Sequence, residues 1–341
     1  MYQEGLILDE ADQTEADYQS REAIIAESNR QLDLAIENAA GFDAIRTDVI
    51  PDLFVDSEVG KPTSASLAAA ARTLQARNQL VNTSKDAITE ADWQAIADLT
   101  AEGLQDNANT FILRTDNVTF PNGIFFAGII QGAHGPFGWH RVSERLMQDV
   151  QPDDARLANF EFTVNEAGEG ESWSTRGRGI QYNSRWRLHP DGSRYASESA
   201  TEDEVKWYFV SAEENKLMRA EALLALGDAA GAAALVDEVR AMQNAGLPSV
   251  DSSSDVWAQI RSERRIGLFL RALAFYDARR WGLIAPVTEG GGRANAVVVE
   301  NDNSVSTDAT INYNFLPYWP IPDEELTFNR PGGGGEPGNP S

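Results

Sequence analysis

Residues 254–282 read SDVWAQIRSERRIGLFLRALAFYDARRWG, and this stretch does most to decide the fold. Apolar side chains recur in it with the i, i+3, i+4 and i+7 spacing of one helical face. They are Ile266, Phe269, Leu270, Leu273 and Tyr276. Because this period is sustained, we predict one long α-helix from Ser254 to Trp281 whose apolar face packs against a core.

The charged side chains of this predicted helix lie away from its apolar face. Glu263 and Arg279 are too far apart to pair along a single helix, so their partners should lie on neighbouring elements. We interpret the charges as a structural ion network rather than as a ligand site. The set comprises Glu263, Arg264, Arg265, Arg271, Asp277, Arg279 and Arg280.

Helical periodicity also runs through the first hundred residues. Residues 16–39 and 64–81 each place apolar side chains on one stripe. Thr89 and Asp92 form a capping-box pattern that predicts the start of a third helix, which should pack antiparallel to the second. The apolar positions are Ile25, Leu32, Ala35 and Ile36, then Leu67, Ala70, Ala71, Leu74 and Val81, then Trp93, Ile96, Ala97 and Leu104.

A second helical pair is predicted ahead of the opening stretch. Residues 205–226 form its first helix, Gly227 takes the left-handed conformation that ends it, and Asp228 caps the next helix. Alanine-rich faces let two helices approach closely, as in tetratricopeptide-type repeats. One pair does not distinguish such a repeat from an ordinary helical hairpin. The second helix places on one side Ala232, Leu235, Val236, Val239 and Met242.

The middle of the chain has a different character. Glycine becomes more frequent, helical periodicity is lost, and the alternating segment 159–164 (NFEFTV) predicts a strand or hairpin. We therefore predict a mainly α fold with a helical part at 1–105, a loop-rich lobe with short β-hairpins at 106–204, and a C-terminal helical part at 205–330. Residues 331–341 have the glycine and proline content of a flexible tail.

The chain is strongly acidic and contains no cysteine. Its 53 acidic and 28 basic residues give a formal charge of −25, which disfavours general nucleic-acid binding. The lack of cysteine excludes disulfides, thiolate metal sites and a lipid-modified cysteine in this sequence. The first residues show no secretion-signal pattern, so we expect a cytoplasmic protein or a chain whose targeting segment has been removed.

No catalytic motif stands out. The sequence has no HExxH zinc pair, no GxSxG nucleophile elbow, no Walker phosphate loop and no dinucleotide fingerprint. A loop metal site built from His134 and His140 is disfavoured. A hydrolytic carboxylate pair stays a minor alternative, because 53 acidic residues bring some pair together by chance. We expect no enzymatic activity and no cofactor.

Aromatic and arginine side chains concentrate in the middle region. Aromatic faces stack on the C–H faces of sugar rings, while guanidinium groups hydrogen-bond to hydroxyls or carboxylates. The alternative is that the arginines neutralise acidic helices at a lobe interface and the aromatics fill a small core. The candidate ligand-binding residues are Phe137, Trp139 and His140 in a turn-rich loop, and Trp173, Arg176, Arg178, Tyr182 and Trp186 further along.

Four segments, in the same order, resemble the SusD/RagB family. They are residues 141–156, residues 213–240, residues 262–282, and residues 316–329 with the closing LPYWPIP followed by Glu325 and Asn329. The resemblance covers residues 140–330, and more loosely 60–105. The sequence departs from the family after Glu263-Arg264-Arg265, where a second glutamate is replaced. It also lacks the family's usual secretion signal, lipidated cysteine and further N-terminal helices.

The resemblance implies a SusD-like fold in which tetratricopeptide-type helical hairpins support a loop-rich ligand lobe. It also implies a non-catalytic protein at the outer-membrane surface that binds an oligosaccharide or other nutrient for a TonB-dependent SusC-type transporter. Ligand contacts vary across the family, so none of its site residues is carried over. The alternative function is a helical-repeat scaffold that assembles with itself and binds no small ligand.

Overall fold

The computed structural model of the protein describes residues 4–7, 18–44, 60–115, 141–165, 167, 169–170, 183–188, 205–300, 302–313 and 317–318. Within them the fold is mainly α, as predicted. The helices are α1 (Arg21–Asn38), α2 (Ser64–Asn82), α3 (Glu90–Ala101), α4 (Glu144–Asp149), α5 (Ala212–Ala225), α6 (Ala229–Met242), α7 (Val256–Ile266) and α8 (Ala274–Arg280).

The described strands form four two-stranded antiparallel pairs. They are β1 (Glu4–Leu6) with β2 (Tyr18–Ser20), β3 (Ile112–Thr115) with β6 (Val205–Tyr208), β4 (Phe160–Phe162) with β5 (Trp186–Leu188), and β7 (Arg293–Val299) with β8 (Val305–Ile311). The predicted strand at 159–164 is confirmed as β4. The predicted division of the chain at residues 105 and 204 stays a prediction.

The N-terminal helices form largely where the sequence places them. The capping box is confirmed, since the Asp92 backbone N–H donates to the Thr89 hydroxyl at 3.2 Å and the Thr89 N–H donates to Asp92 Oδ2 at 2.9 Å. Helix α2 runs over the predicted range and packs against α3. Helix α1 begins at Arg21 rather than at residue 16, because residues 18–20 pair as β2 and Ser20 caps the helix.

Helices α5 and α6 form the predicted hairpin. Gly227 has a φ of 91°, and the Asp228 side chain caps α6 by accepting from the Gly231 N–H at 2.8 Å. Helix α5 is covered on two sides, because Met218 packs with α2 and α3 whereas Leu217 packs with α6 and α7. Met242 is 37% exposed and extends less into the core than its predicted companions on α6.

The predicted helix over residues 205–226 is wrong in its first part. Val205–Tyr208 is strand β6, which pairs with Ile112–Thr115. Helix α5 begins only after Ser211, whose hydroxyl accepts from the Glu214 N–H at 3.3 Å. The segment is rich in β-branched and aromatic residues, and a partner strand about ninety residues earlier outweighs its local helical pattern.

The single helix predicted over residues 254–281 is also wrong, because the chain forms α7 and α8 with a break at 267–273. Leu270 and Ala272 have positive φ values of 61° and 59° inside the break. Because of the break, apolar side chains from one stretch of sequence pack into two different cores. Ile266 packs against the cluster around α4 and the β4–β5 pair, whereas Leu273 packs with α5 and α6. Tertiary packing therefore decides the backbone here.

The β7–β8 hairpin has no counterpart among the sequence predictions. The side chain of Gln148 on α4 binds its edge, donating to the Asn295 carbonyl at 2.7 Å and accepting from the Val297 N–H at 3.0 Å. Gly290 and Gly292, ahead of the hairpin, have positive φ values of 86° and 58°. This hairpin and α4 thereby form one unit next to the end of α7.

The predicted closing segment lies mostly outside the described residues, as does the tail at 331–341. Two of its residues are described, and both contact the helical part. The Pro317 carbonyl accepts from Arg279 Nη1 at 3.3 Å, and the Tyr318 hydroxyl accepts from Arg21 of α1. Pro317 and Tyr318 thus contact α8 and α1, respectively.

The predicted structural ion network is confirmed for Glu263, Arg264, Asp277 and Arg280, with partners on neighbouring elements. Glu263 has no exposed surface. It accepts from Arg156 Nη1 at 2.6 Å and from Arg240 Nε at 2.9 Å. Arg156 also binds Asp154, and hydrogen bonds to Asp154 and Glu263 raise the pKa of Arg156 above its usual value although burial alone would lower it. The lobe at 154–159, helix α6 and helix α7 meet at this carboxylate.

A second buried network joins α5 and α8. Arg280 Nη2 donates to Glu221 Oε2 at 2.6 Å, and Arg280 Nε donates to Asp277 Oδ1 at 2.9 Å. Arg264 of α7 donates to the other oxygen of Asp277 at 2.8 Å. Burial tends to lower the pKa of Arg280, but Glu221 and Asp277 raise it overall. Glu221, Arg264, Asp277 and Arg280 therefore hold α5, α7 and α8 together.

Replacing Glu263 should destabilise the protein strongly. Glu263→Gln leaves two buried guanidiniums without their shared carboxylate, and breaking a buried pair in this way costs about 3–5 kcal/mol. We expect urea denaturation, followed by circular dichroism, to show a loss of that size. The matched control is Glu27→Gln on α1, which removes an exposed ion pair to Arg30 of 2.7 Å and should shift the midpoint little. Equal effects of both substitutions would contradict this account of the network.

Candidate functional site

The β4–β5 pair carries an aromatic face that runs from the core to the surface. Its register places Phe160 opposite Leu188 and Phe162 opposite Trp186. Side chains alternate along a strand, so these four share one face, while Glu161 and Arg187 pair on the other at 2.6 Å. Phe160 and Leu188 are buried at one end, whereas Phe162 is 36% exposed at the other.

The exposed end of this face is an aromatic pair beside an arginine. The rings of Phe162 and Trp186 lie edge to face, with centroids 5.0 Å apart and planes at 69°. The Arg185 guanidinium lies 5.1 Å from the Phe162 ring centroid. Such a contact between a cation and a ring is attractive. We call Phe162, Arg185 and Trp186 the hairpin patch.

A buried carboxylate orients the arginine of the hairpin patch. Glu144 is 3% exposed at the start of α4. Its Oε1 accepts from the Arg185 backbone N–H at 2.8 Å and from Arg185 Nε at 3.0 Å, while its Oε2 accepts from Arg185 Nη2 at 3.0 Å. This fixes the guanidinium before any ligand arrives. A fixed guanidinium beside exposed ring edges provides hydrogen-bond donors and an apolar surface, which suits a sugar.

One of the eight predicted ligand-binding residues is described. Trp186 lies half-buried in β5, with part of its ring on the core cluster around Val142 and Leu146. The remaining candidates lie outside the described residues and stay predictions; they are Phe137, Trp139, His140, Trp173, Arg176, Arg178 and Tyr182.

The sequence analysis missed Phe162 as a site residue, although it assigned that segment to a strand. Period-two spacing puts Phe160 and Phe162 on one face. That spacing alone does not show that the face emerges from the core after Phe160. The information comes from the pairing with Trp186, which is distant in sequence.

Two other classes of site find no support in the described part of the chain. No group of three or more histidine, cysteine, aspartate or glutamate side chains there is arranged to hold a metal ion. None of the helices described is long and apolar enough to cross a membrane.

Comparison with known families identifies the scaffold behind the hairpin patch. The model of the SusD family matches residues 214–332, a span that contains most of α5, all of α6–α8 and the β7–β8 hairpin. This region of the chain resembles SusD/RagB family proteins. The match includes Glu221, Glu263, Asp277 and Arg280 of the buried networks, whereas Asp154 and Arg156 precede it in sequence. The hairpin patch precedes that region in sequence.

Solved structures with the same fold include SusD-like proteins from Bacteroides. A SusD-like protein from Bacteroides fragilis is 18% identical, with a TM-score of 0.57 over 96% of this chain and 74% of the other. A SusD-like carbohydrate binding protein from the same species is 13% identical, with a TM-score of 0.55 over 96% and 75%. One from Bacteroides vulgatus is 13% identical, with a TM-score of 0.54 over 92% and 66%.

The search of curated proteins gave no match. At these identities the likeness of this chain to the Bacteroides proteins shows its fold alone. The chain spans between 66% and 75% of the length of these three structures.

The packing under the hairpin patch can be tested through a glycine. A Cβ on Gly170 would lie 2.8 Å from Phe162 Cζ and 3.0 Å from Arg185 Cδ. Gly170→Ala should therefore displace both side chains and shift the Trp186 indole N–H resonance in a ¹H–¹⁵N spectrum. Because both contacts are to movable side chains, the stability loss should stay below about 1 kcal/mol. Gly41→Ala is the control, since a Cβ there meets nothing within 4 Å. An unchanged Trp186 resonance in Gly170→Ala would contradict the described packing.

Proposed function

We propose that this protein binds an oligosaccharide at the outer surface of the outer membrane and passes it to a TonB-dependent SusC-type transporter. It carries out no chemistry on the ligand. Resemblance to the SusD/RagB family supports this proposal. Two proteins of the same fold are carbohydrate binding proteins. The hairpin patch is the feature of this chain that supports the proposed function most directly.

The hairpin patch fits a sugar because it combines two kinds of contact. The exposed part of the Phe162–Trp186 pair offers an apolar surface to the C–H groups of a pyranose ring. Arg185, already oriented by Glu144, offers N–H donors to hydroxyl oxygens. Since the patch is held in place before binding, little side-chain entropy is lost when a ligand arrives.

Further contacts come, in this proposal, from residues named on sequence grounds. Phe137, Trp139 and His140 form one set, and Trp173, Arg176, Arg178 and Tyr182 form the other. The second set precedes Trp186 closely in sequence. The same residue types that make up the hairpin patch recur in both, which is why we group them with it.

We also propose that the helices form tetratricopeptide-type repeats that support this surface. The α2–α3 pair packs on the α5–α6 pair through α3 and α5. Stacking of consecutive helical pairs in this way is what such repeats require. In this proposal the helices hold the lobe in position, and the lobe binds the ligand.

The test of the proposed function is glycan binding by hairpin-patch variants. We expect isothermal titration against a panel of neutral and acidic oligosaccharides to find a ligand for the wild type. Phe162→Ala and Trp186→Ala should each weaken its binding by about tenfold, which is about 1.4 kcal/mol. Trp257→Ala is the control, because Trp257 also makes an edge-to-face contact, with Trp281 at 5.6 Å, but lies on α7 in a different core.

Two outcomes would count against this function. Binding that Phe162→Ala and Trp186→Ala leave unchanged would place the ligand elsewhere. A wild type that binds no glycan, and sediments as a homo-oligomer with the hairpin patch protected from solvent, would favour the self-assembling scaffold instead.

A further inference from the structure

Two arginines pair with one carboxylate where α4, α7 and β7 meet, and a third arginine lies beside them. Arg265 Nε lies 2.7 Å from Asp149 Oδ2. Arg293 approaches the same carboxylate with both terminal nitrogens, Nη2 at 2.8 Å from Oδ1 and Nη1 at 3.0 Å from Oδ2. Arg145, one helical turn before Asp149, lies alongside, and its carbonyl accepts from Arg293 Nη1 at 3.2 Å. We call Arg145, Arg265 and Arg293 the arginine cluster.

The arginine cluster carries more positive charge than its carboxylate neutralises. Three guanidiniums against Asp149 leave a local charge of +2 in a chain whose formal charge is −25. Arg145 Nη1 donates to the Val297 carbonyl at 3.3 Å, and within the described residues it has no ion pair. Burial lowers the pKa of Arg265 from its usual value, Asp149 opposes this, and Arg293 and Arg145 lower it further. Tyr313 raises it again, so burial is the main reason that the pKa of Arg265 is lowered.

Arg265 keeps donors available to solvent. Its side chain is 42% exposed. Its two terminal nitrogens donate no hydrogen bond to any residue in the described part of the chain. By contrast, the buried arginines of the helical scaffold, such as Arg156 and Arg280, donate to carboxylates from their terminal nitrogens. The terminal nitrogens of Arg156 and Arg280 are used in structural ion pairs, whereas those of Arg265 are not.

Helix α4 links the arginine cluster to the hairpin patch. Glu144 at its start holds Arg185, and Asp149 at its end holds Arg265 and Arg293. Five residues of helical rise separate the two carboxylates, roughly 8 Å along the axis. The two sites are thus neighbours along α4.

We infer that the arginine cluster binds the anionic group of an acidic oligosaccharide, either a uronate carboxylate or a sulfate ester. The planar guanidinium presents paired N–H donors whose spacing matches both groups. The inference rests on the proposed function, since it names the class of glycan that the same region takes. Salt screens the overall acidity of the chain beyond about 8 Å, so the local charge governs contact with a short ligand.

The test uses a matched pair of probes at constant ionic strength, sodium glucuronate and glucose, with sodium sulfate as a third arm. We expect glucuronate and sulfate, but not glucose, to give saturable shifts of the Arg265 Nε–Hε resonance, with a Kd of about 1 mM. Arg265→Gln should weaken glucuronate binding about tenfold, read from the backbone amides of Arg145 and Arg293. Arg30→Gln, which removes an exposed arginine from α1, should leave it unchanged.

The controls separate this inference from the proposed function. Phe162→Ala should lose oligosaccharide affinity but keep glucuronate binding at the arginine cluster. If Arg265→Gln fails to fold, Arg145→Gln takes its place. Equal shifts with glucose and glucuronate, no saturable shift, or full binding by the cluster variant would each overturn the inference. A glycan that binds Arg265→Gln and Arg145→Gln as tightly as the wild type would also overturn the inference. It would leave the proposed function unaffected.

Discussion

A carboxylate without exposed surface, Glu263, is the point on which the described architecture depends. It accepts hydrogen bonds from Arg156 before β4 and from Arg240 on α6, so the lobe and two helices share one buried charge. Buried charges need their partners in place. The position of Phe160 and of the strand that follows it is thereby tied to the helical scaffold. The hairpin patch lies on this short strand pair, so its geometry depends on this interaction.

The sequence predicts correctly the structural features that depend on residues close in sequence. Helices α2, α3 and α6, the Thr89–Asp92 capping box and the stop at Gly227 depend on neighbours a few residues away. The structural role of Glu263 followed from spacing alone. The errors share one cause, which is long-range packing. Residues 205–208 became a strand because of a distant partner, and the helix over 254–281 broke because its apolar residues serve two cores.

The candidate site was recovered in part for the same reason. The local composition predicts Trp186 as a site residue. Phe162 is recognised as its neighbour only from the β4–β5 register, which places the two rings together. The arginine cluster likewise joins residues from three distant elements. The matched family region begins after the hairpin patch, so the family accounts for the scaffold more directly than for the surface. In this account the scaffold is shared with relatives, and the side chains on the lobe determine which ligand binds.

The most direct test of the central claim is a crystal structure of this chain with a bound oligosaccharide. The account predicts sugar density against the exposed edges of Phe162 and Trp186, with a hydroxyl within hydrogen-bond distance of Arg185. Density on another surface, such as the Trp257–Trp281 pair on the helical side, with the hairpin patch left open to solvent, would contradict it.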